Sequence, residues 1–372
     1  MRVLVTDGRY KHALAAVRAL GRENIEVVVG TQRKGICSYS KFCSSTHTYP
    51  SPSNEEVFIS SILKCIKDEN IDVLIPIGYE TNRAISKNKA IFQGKVGLLL
   101  SDFEKMSLAG DKSRTAQLAR EVGVPTPREY ELGDPEITFP LVVKDRLGAG
   151  KVRYINTKEE LEGINLNNVV VQEYVMGEGY GFFALMKGGV AKAIFMHKRL
   201  REYPITGGPS TMAESVYDPQ LEKEGLKMLE ALKWDGVAMV EFKKDARSGE
   251  FKLMEVNPKF WGSLDLAIAS GVNFPSLMAK LTLGEDFPPI RDYLIGVKFR
   301  WVFPDDLMYH LAMPSKLGEF VTDFFDRGIR DNLDRDDIIP NIIQIVETVP
   351  KVYSLLRSKK LRYPQGRPMV RK

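Results

Sequence analysis

The sequence predicts an α/β protein of two or three domains, in which a parallel sheet covered by helices is followed by antiparallel hairpins. Its 372 residues exceed the length that one hydrophobic core usually serves. Over the first hundred residues strand patterns alternate with helix patterns, which is typical of parallel strands joined by right-handed crossovers. Further along the chain, two pairs of strand patterns are separated only by short turns, and this indicates hairpins.

The first hundred residues predict a Rossmann-like domain. Their first turn, Thr6-Asp7-Gly8-Arg9, lacks the G-x-G-x-x-G pattern of dinucleotide sites, so we expect the shape of that fold without bound NAD. A stretch rich in Ser, Thr and Pro leads to residue 54. The predicted elements are strands at 3–5, 25–29 and 73–77, and helices at 13–20 and 57–66.

The rest of the chain to residue 300 predicts a mixed α/β region without internal repeats. A helix pattern at 107–122 is stopped by Gly123 and Pro125. A hairpin is predicted around Lys187-Gly188-Gly189, and a second one around a loop of about five residues after strand 237–242. The other predicted elements are strands at 139–144, 169–175, 182–186, 190–196 and 251–256, and a helix at 221–232.

The net charge of +5 comes from the C-terminal tail. Residues 357–372 contain seven basic residues and no acidic one, which leaves the other 356 residues with a net charge of −2. A nucleic-acid partner is therefore not expected, since only the tail favours one. Three cysteines do not suggest a disulfide framework, and no apolar run approaches the roughly 18 residues of a transmembrane helix. We expect a soluble cytoplasmic protein with no transmembrane segment and no signal peptide.

The second hairpin carries a candidate metal site. Residues two apart on a strand share a face, so Glu255 and Asn257 point the same way. A loop of about five residues places Glu241 near Leu253 and diagonal to Glu255. Two carboxylates at such a distance usually enclose a cation, and all-oxygen ligands suit Mg²⁺ bound to nucleotide phosphates. The alternative is an ordinary hairpin face with solvated acids.

Two lysines lie where phosphate would bind. Lys144 ends an apolar strand and is followed by Gly148-Ala149-Gly150-Lys151, whose glycines let backbone N–H groups approach an anion. Lys112 stands near the start of a helix, where the helix dipole favours phosphate. The G-x-x-x-x-G-K-[ST] pattern of a P-loop is absent. Each lysine could equally be a plain surface residue.

A basic segment is predicted to form a loop that closes over an anionic substrate. His197-Lys198-Arg199-Leu200-Arg201 leads into Gly207-Gly208-Pro209, outside any predicted element. Arginine suits this task because its guanidinium makes paired hydrogen bonds to carboxylate or phosphate. A solvated run of charges is the alternative.

Taken in order, these features resemble the ATP-grasp superfamily over about residues 1–300. The most specific match is the E…E-x-N-P metal signature, which Glu241, Glu255 and Asn257-Pro258 reproduce. The resemblance implies an α/β (α+β grasp) fold class. It consists of a Rossmann-like pre-ATP-grasp domain and an ATP-grasp fold of two α+β subdomains that clasp ATP. The implied boundaries are 1–107 for the first domain, 108–178 and 179–300 for the two subdomains, and 301–372 for a C-terminal extension.

The resemblance also implies roles for the remaining residues. Lys112 and Lys144 match the phosphate-contacting lysines, and 148–151 matches the flexible loop over the triphosphate. The implied ATP-binding residues are Lys112, Lys144, Gly148, Gly150, Lys151, Gln172, Glu173, Val175 and Glu178, where Gln172, Glu173 and Val175 form the adenine hinge and Glu178 is the ribose-binding acid. The implied metal ligands are Glu241, Glu255 and Asn257.

The implied reaction is the ATP- and Mg²⁺-dependent ligation of a carboxylate to an amine, with Mn²⁺ as a substitute metal. The substrate carboxylate attacks the terminal phosphate of ATP, and an amine then displaces phosphate from the acyl phosphate. Arg199, Arg201 and Lys259 are the implied catalytic residues. The superfamily usually has arginine at the position of Lys259, which keeps the charge but loses the planar fork. The segments 199–210 and 260–264 look most like a carboxylate–amine ligase or carbamoyl-phosphate-synthase-like branch.

Other functions of the same fold remain open at this point. A kinase or carboxylase would use the same grip on ATP, and a regulator would bind ATP without catalysis. The expected partners are small-molecule substrates, and a homodimer is compatible with the sequence. A zinc site at Cys37, Cys43, His47 and Cys65 is disfavoured because the spacing matches no common pattern. Residues 342–356 could form a membrane-surface helix, but we expect Pro350 to interrupt it and the segment to pack on the body.

Overall fold

The computed structural model describes residues 1–131, 133–148, 150, 152–358 and 361–369, and three sheets organise them. The sheets have four, three and seven strands and follow one another along the chain. The helices of the described residues are α1 Lys11–Arg22, α2 Glu55–Asp68, α3 Tyr79–Lys87, α4 Lys89–Phe92, α5 Phe103–Ala109, α6 Lys112–Glu121, α7 Lys158–Glu162, α8 Pro219–Ala231, α9 Leu264–Ala269, α10 Phe274–Thr282, α11 Leu307–Ala312, α12 Leu317–Thr322 and α13 Ile338–Ser358.

The N-terminal sheet is parallel, as the alternating pattern predicts. Its strands are β1 Arg2–Val5, β2 Glu26–Thr31, β3 Cys43–Thr48 and β4 Val73–Ile75, in the order β3-β2-β1-β4. The sequence interpretation placed no element at β3. This strand is at the edge of the sheet, and its residues are small, polar and partly exposed, so it lacks the apolar run that identified the other three strands.

The second sheet forms a small lobe with a core of its own. It contains β5 Leu141–Asp145, β6 Val152–Ile155 and β7 Val169–Glu173, in the order β6-β5-β7, and all pairs are antiparallel. The buried residues of its core are Tyr130, Leu141, Val143, Ile155 and Leu161. We use the name small lobe for these three strands together with α7.

The third and largest sheet has seven strands and carries most of the apolar core. They are β8 Gly177–Lys187, β9 Val190–Glu202, β10 Ser210–Ser215, β11 Gly236–Asp245, β12 Phe251–Asn257, β13 Lys298–Arg300 and β14 Ile329–Asp331, in the order β12-β11-β8-β9-β10-β13-β14. All pairs are antiparallel except β13 with β14.

Two large cores join the N-terminal sheet to the seven-stranded sheet. One contains Leu4 and Leu74 together with Phe182, and the other contains Val5 together with Phe183. Because the small lobe has a separate core, it is attached to this body by fewer apolar contacts than the two large sheets share.

The C-terminal segment returns to the small lobe. After α13, residues 361–369 run beside β6, where the Tyr154 amide donates to the Gln365 carbonyl at 3.4 Å. The Met369 amide donates to Asn156 Oδ1 at 2.7 Å, and Asn156 Nδ2 donates to the Arg367 carbonyl at 3.1 Å. Residues 361–369 therefore lie against the edge of the small lobe.

Two helix predictions need correction. The single helix predicted at 107–122 is divided between α5 and α6, because the Asp111 carboxylate accepts the amides of Ser113 and Arg114 and so begins a new helix. The interruption predicted at Pro350 is wrong, since α13 continues through it. The carbonyl that proline leaves without a donor is that of Val346, a residue exposed to water.

The predicted loop at Arg199 and Arg201 is also wrong. Both residues lie on β9, which extends to Glu202 because β10 pairs with it, and the connecting loop is limited to residues 203–209. The sequence interpretation did not include β10, so nothing in it supported a longer β9. Along the described residues, no helix is long and apolar enough to cross a membrane.

Replacing Gly225 by alanine tests the packing of α8 on the large sheet. A Cβ atom there would lie 2.3 Å from ring carbons of Phe182, so we expect the free energy of unfolding to fall by about 1–3 kcal/mol. This loss exceeds the gain of about 1 kcal/mol that alanine brings to a helix. Urea denaturation measures the change, and Gly318→Ala in α12, where nothing lies within 4 Å of the added Cβ, is the control. Equal stability of the two variants would contradict the packing described.

Candidate functional site

A β-bulge brings the two candidate metal-binding carboxylates face to face. Glu241 on β11 pairs directly with Glu255 on β12, and the register shifts before the next pair, Phe242 with Leu253. Met254 is the extra residue. The predicted register, with Glu241 near Leu253 and diagonal to Glu255, is therefore wrong. Without the bulge Glu241 would pair with Met254, and Glu255 would point to the opposite side of the sheet.

Three side chains contact this pair. Arg199 Nη2 lies 2.6 Å from Glu241 Oε2, and Lys112 Nζ lies 3.6 Å from Glu255 Oε2. Asn257 Nδ2 donates to Glu255 Oε1 at 2.8 Å. Arg199 and Lys112 are about nine-tenths buried, so their attraction for the carboxylates is little screened by water. The like charges of the two glutamates are thus balanced by two cations, Arg199 from strand β9 and Lys112 from helix α6.

The charges of Glu255, Lys144 and Lys259 are coupled through this cluster. Burial would raise the pKa of Glu255, but Lys112, the Asn257 amide and Lys144 together hold it below its ordinary value. Burial lowers the pKa of Lys144 and of Lys259, and the carboxylates of Glu255 and Glu241 oppose that shift in both. An anion in front of these lysines would favour their protonated forms further.

The glycine turn after β5 lies against the same cluster. Gly148 has a φ of +62°, and its carbonyl accepts the Lys112 ammonium. Gly150 lines the cavity described below and tolerates no side chain, since a Cβ would lie 2.2 Å from Cβ of Asp145. Lys151, which the sequence interpretation assigned to the loop over the triphosphate, lies outside the described residues.

The three residues predicted to form the adenine hinge lie at the end of β7 or just after it. Gln172 is buried and donates from Nε2 to Glu129 at 3.3 Å, and the Val175 carbonyl accepts Lys243 Nζ at 3.3 Å. Glu173 turns its carboxylate to Lys252 at 2.5 Å, and Lys252 also lies 3.0 Å from Asp245. The carboxylate of Glu173 is therefore held in an ion-pair network between the small lobe and the large sheet.

These groups line one cavity of about 630 Å³ between the small lobe, the large sheet and the N-terminal sheet. Predicted site residues that line it are Lys112, Lys144, Gly150, Gln172, Glu173, Val175, Arg199, Glu241, Glu255, Asn257 and Lys259. Helix α1 contributes its first residues, and α13 contributes Gln344, Glu347 and Lys351. The volume falls within the range of sites that bind small molecules and cofactors.

Among the described residues, three predicted site residues do not line the cavity: Gly148, Glu178 and Arg201. Glu178 is 58% exposed and pairs with Lys198 at 2.7 Å. Arg201 binds Asp323 at 2.6 Å and Asp306 at 3.2 Å, on the side of β9 that faces the C-terminal region. Strict alternation would place Arg201 on the same face as Arg199, but their partners Met212 and Ala213 are neighbours on β10, so Leu200 is an extra residue in β9 and this bulge separates the two arginines.

The neighbours of Arg201 include a possible cation site by geometry. Carboxylate and imidazole atoms of Asp306, His310 and Asp323 lie within 4.8 Å of one another. The Arg201 guanidinium contacts all three residues, and Arg300 Nη1 lies within 4 Å of both aspartates. Two arginines thus supply the positive charge that a metal ion would otherwise bring.

Sequence reasoning missed several cavity residues. Lys243 follows Glu241 by two residues on β11, so strand alternation was the available signal. His12, His197 and Trp261 line the cavity, and their ring nitrogens have no hydrogen-bond partner within the described part of the chain. Burial lowers the pKa of both histidines well below the usual range, which keeps them neutral. No short motif marks these three positions.

The donor set fits a divalent cation that prefers oxygen. Glu241, Glu255 and Asn257 present carboxylate and amide oxygens from two adjacent strands, the type of ligand that Mg²⁺ takes together with phosphates. All three side chains offer oxygen atoms, and none offers the sulfur or imidazole nitrogen that zinc prefers. The residues therefore fit the metal that the sequence interpretation named.

Comparisons with known proteins show what the chain is similar to in sequence and in fold. Residues 165–302 match a family model described as ATP-grasp in the biosynthetic pathway with Ter operon. A curated relative, the N-terminal section of the carbamoyl phosphate synthase large chain of Methanopyrus kandleri, is 23% identical over 336 residues. The match covers 77% of this chain but only 58% of the length of that relative.

Solved structures share the fold at low sequence identity. Biotin carboxylase from Campylobacter jejuni has a TM-score of 0.63 and 15% identity, over 80% of this chain and 74% of that one. L-amino acid ligase from Bacillus licheniformis has a TM-score of 0.61 and 18% identity, over 77% and 75% of the two chains. N5-carboxyaminoimidazole ribonucleotide synthetase from Thermotoga maritima has a TM-score of 0.58 and 14% identity, over 80% and 79%. The predicted α/β grasp fold is confirmed.

The ion-pair network of Glu173, Lys252 and Asp245 should make the free energy of unfolding depend on pH. Burial would raise the pKa of Asp245, but the Arg247 amide and the Lys252 ammonium hold it below its ordinary value. The stabilisation is therefore complete above the ordinary carboxyl pKa of about 3.9 and is lost as the pH falls through the lower, folded value.

We expect Asp245→Asn to lower the free energy of unfolding at pH 7 by about 1–3 kcal/mol. The difference from the unmodified chain should narrow below about pH 4. Urea denaturation at several pH values measures both effects, and Asp68→Asn at an exposed position is the control. A difference that stayed constant down to acid pH would contradict an ionised Asp245 in the network.

Proposed function

We propose, from its ATP-grasp fold and the residues that line the cavity, that this chain is an ATP- and Mg²⁺-dependent ligase that joins a carboxylate to an amine. The observation that carries the proposal is the Glu241–Glu255 pair, set directly opposite in one cavity with Lys112, Lys144, Arg199 and Lys259. Two carboxylates with an amide oxygen suit a metal, and four cations suit a triphosphate.

The nucleotide would lie between the small lobe and the large sheet. Apolar side chains of Val142, Val175 and Met254 line this part of the cavity and offer a slot for a planar base. Lys112 and Lys144 reach the same space from α6 and β5, and we assign them to the phosphates. Glu241, Glu255 and Asn257 would hold Mg²⁺, and its positive charge would stabilise the negative charge that develops on the leaving ADP.

The substrate carboxylate would then attack the terminal phosphorus. A carboxylate oxygen forms the new O–P bond, the bond to ADP breaks, and an acyl phosphate remains. Arg199 is nine-tenths buried and anchored to the Gly208 carbonyl at 3.0 Å, so its guanidinium is oriented before the substrate binds. We assign Arg199 and Lys259 to the acyl phosphate, where fixed positive charge stabilises the transferred group.

The second step forms the amide. The amine nitrogen attacks the acyl carbon, the C–O bond to phosphate breaks, and the nitrogen loses a proton. Water must be kept out during this step because acyl phosphates hydrolyse. The loop 203–209 supports this, since the Tyr154 hydroxyl of the small lobe donates to the Thr206 carbonyl and closes that side of the cavity.

The geometry changes the role of Arg201. It is bound to Asp306 and Asp323, so we assign it to the support of β9 beside Arg199 rather than to the substrate.

ADP release over a panel of carboxylates crossed with amines tests the proposed reaction. We expect release that requires one carboxylate and one amine together, with an amide as the product. Bicarbonate belongs in the panel, because dependence on it would indicate a carboxylase. A phosphorylated product without an amide would indicate a kinase, and ATP binding without release of ADP from any pair would favour a regulator.

Substitutions in the cavity test the site. We expect Lys144→Ala and Glu255→Gln each to lower ATP turnover by about 100-fold or more, because each removes a fixed charge that faces the phosphates or their metal. Lys158→Ala and Glu162→Gln, at exposed positions of the small lobe, are the matched controls. Thermal melting checks that each variant is folded. Unchanged turnover in a folded Lys144→Ala or Glu255→Gln variant would refute the assignment.

A further inference from the structure

Helix α13 turns its apolar side chains towards solvent. Eight of them are exposed by 42–65% and follow one side of the helix, and we call this set the α13 stripe. Its members are Ile338, Ile339, Ile342, Ile345, Val346, Val349, Tyr353 and Leu356. Scattered exposed apolar residues are ordinary, but a continuous stripe of this length marks a surface that contacts another molecule.

The opposite side of α13 is polar and faces the protein. Arg18 of α1 donates to Asn341 at 3.0 Å and to Asp337 at 2.9 Å, just before the helix. Gln344 is buried and accepts Asn332 Nδ2 at 3.0 Å, and Thr348 is buried one turn further. A surface helix normally shows the reverse arrangement, with its apolar side inward. These polar contacts, together with Ile343, attach α13 to the body, and the α13 stripe stays exposed by 42–65%.

The spacing of the stripe is that of a helix–helix interface. Five members of the stripe, at 338, 342, 345, 349 and 356, together with the half-buried Val352, recur in alternate steps of four and three, which is the pattern of coiled coils. A helix of 21 residues is about 31 Å long, so the repeat extends along its whole length.

The charges at the two ends of α13 are opposite. Residues 331–337 contain four acidic residues and one basic residue, although Asp334 and Asp337 are paired with Arg22 and Arg18. Residues 357–362 contain four basic residues and no acidic one. If a second copy of α13 packed against the first in the antiparallel direction, the acidic end of each helix would lie beside the basic end of the other. The helix dipoles would also be paired favourably.

We propose that the α13 stripe is a homodimer interface, in which α13 packs antiparallel against α13 of a second copy of this chain. A two-fold axis near residue 347 places Ile338 opposite Leu356 of the other copy and Val346 close to its own counterpart. Such an interface is self-complementary, as two-fold symmetry requires. Eight side chains exposed by about half along about 31 Å approach the roughly 800 Å² per partner that stable interfaces bury.

An anionic membrane surface fits the stripe less well. The basic run after the helix would attract such a surface, but Asp336 is exposed at the other end of the stripe and would be repelled. A second copy of this chain would offer opposite charge to both the acidic and the basic end of α13. This proposal does not depend on the proposed reaction, because none of the stripe residues is assigned to ATP or substrate.

Sedimentation equilibrium of the full chain tests the interface. We expect a dimer, and we expect the double variant Ile345→Glu, Val349→Glu to raise its dissociation constant by about 100-fold or more. Val57→Glu, at an equally exposed position of α2, is the control and should leave the dimer intact. Circular dichroism and thermal melting confirm that the variants are folded. A monomer at all concentrations, or a dimer that the double variant does not weaken, would overturn the proposal.

Disulfide cross-linking tests the antiparallel direction. A mixture of Ile338→Cys and Leu356→Cys chains should cross-link under oxidation, whereas neither variant should cross-link alone. The unmodified chain, with buried Cys37 and Cys65 and half-buried Cys43, is the control for native cysteines. Cross-linking of each variant with itself would indicate a parallel pair and overturn the geometry. Binding of the unmodified chain to vesicles of equal parts phosphatidylcholine and phosphatidylglycerol, abolished by the double variant, would assign the stripe to lipid instead.

Discussion

The cavity depends on one electrostatic constraint, which is that two carboxylates are held directly opposite each other on adjacent strands. Glu241 and Glu255 would repel in isolation, and the fold offsets this with Arg199 from β9 and Lys112 from α6. Each cation reaches the pair from a different part of the chain, so strand β9, helix α6 and the hairpin of β11 and β12 must be assembled together. In the proposed function, the same cations would also face a bound metal and triphosphate.

Much of this arrangement could be predicted from the sequence, because the residues that carry it occur in short patterns. Apolar runs indicated the strands that end at Lys144 and Val175, and the E…E-x-N-P signature indicated the hairpin. The register of that hairpin could not be predicted, because no particular residue type marks the bulge at Met254. The bulge nevertheless changes which side chains share a face. A single helix was predicted at 107–122, and its division before Lys112 depends on the cap that Asp111 forms.

The errors beyond residue 198 have a common cause, which is that tertiary pairing decides the structure there. Arg201 seemed equivalent to Arg199 in a loop, and only the pairing of β9 with β10 separates their environments. Likewise, helix α13 continues through Pro350, and its earlier turns are held to Arg18 and Asn332 by contacts distant in sequence. His12, His197 and Trp261 reach the cavity from separate segments and share no local pattern.

The return of the C-terminal segment to β6 has a mechanical consequence. The small lobe has its own core, so it can rotate against the body without disrupting the large cores. Such a rotation would widen the entrance to the cavity, but it would also break the hydrogen bonds of Tyr154 and Asn156 to residues 365–369. The last described residues thus act as a tether of limited length. A rotation that opened the cavity would therefore also separate residues 365–369 from β6, and fluorescent probes on the two sides of that junction would follow it in real time.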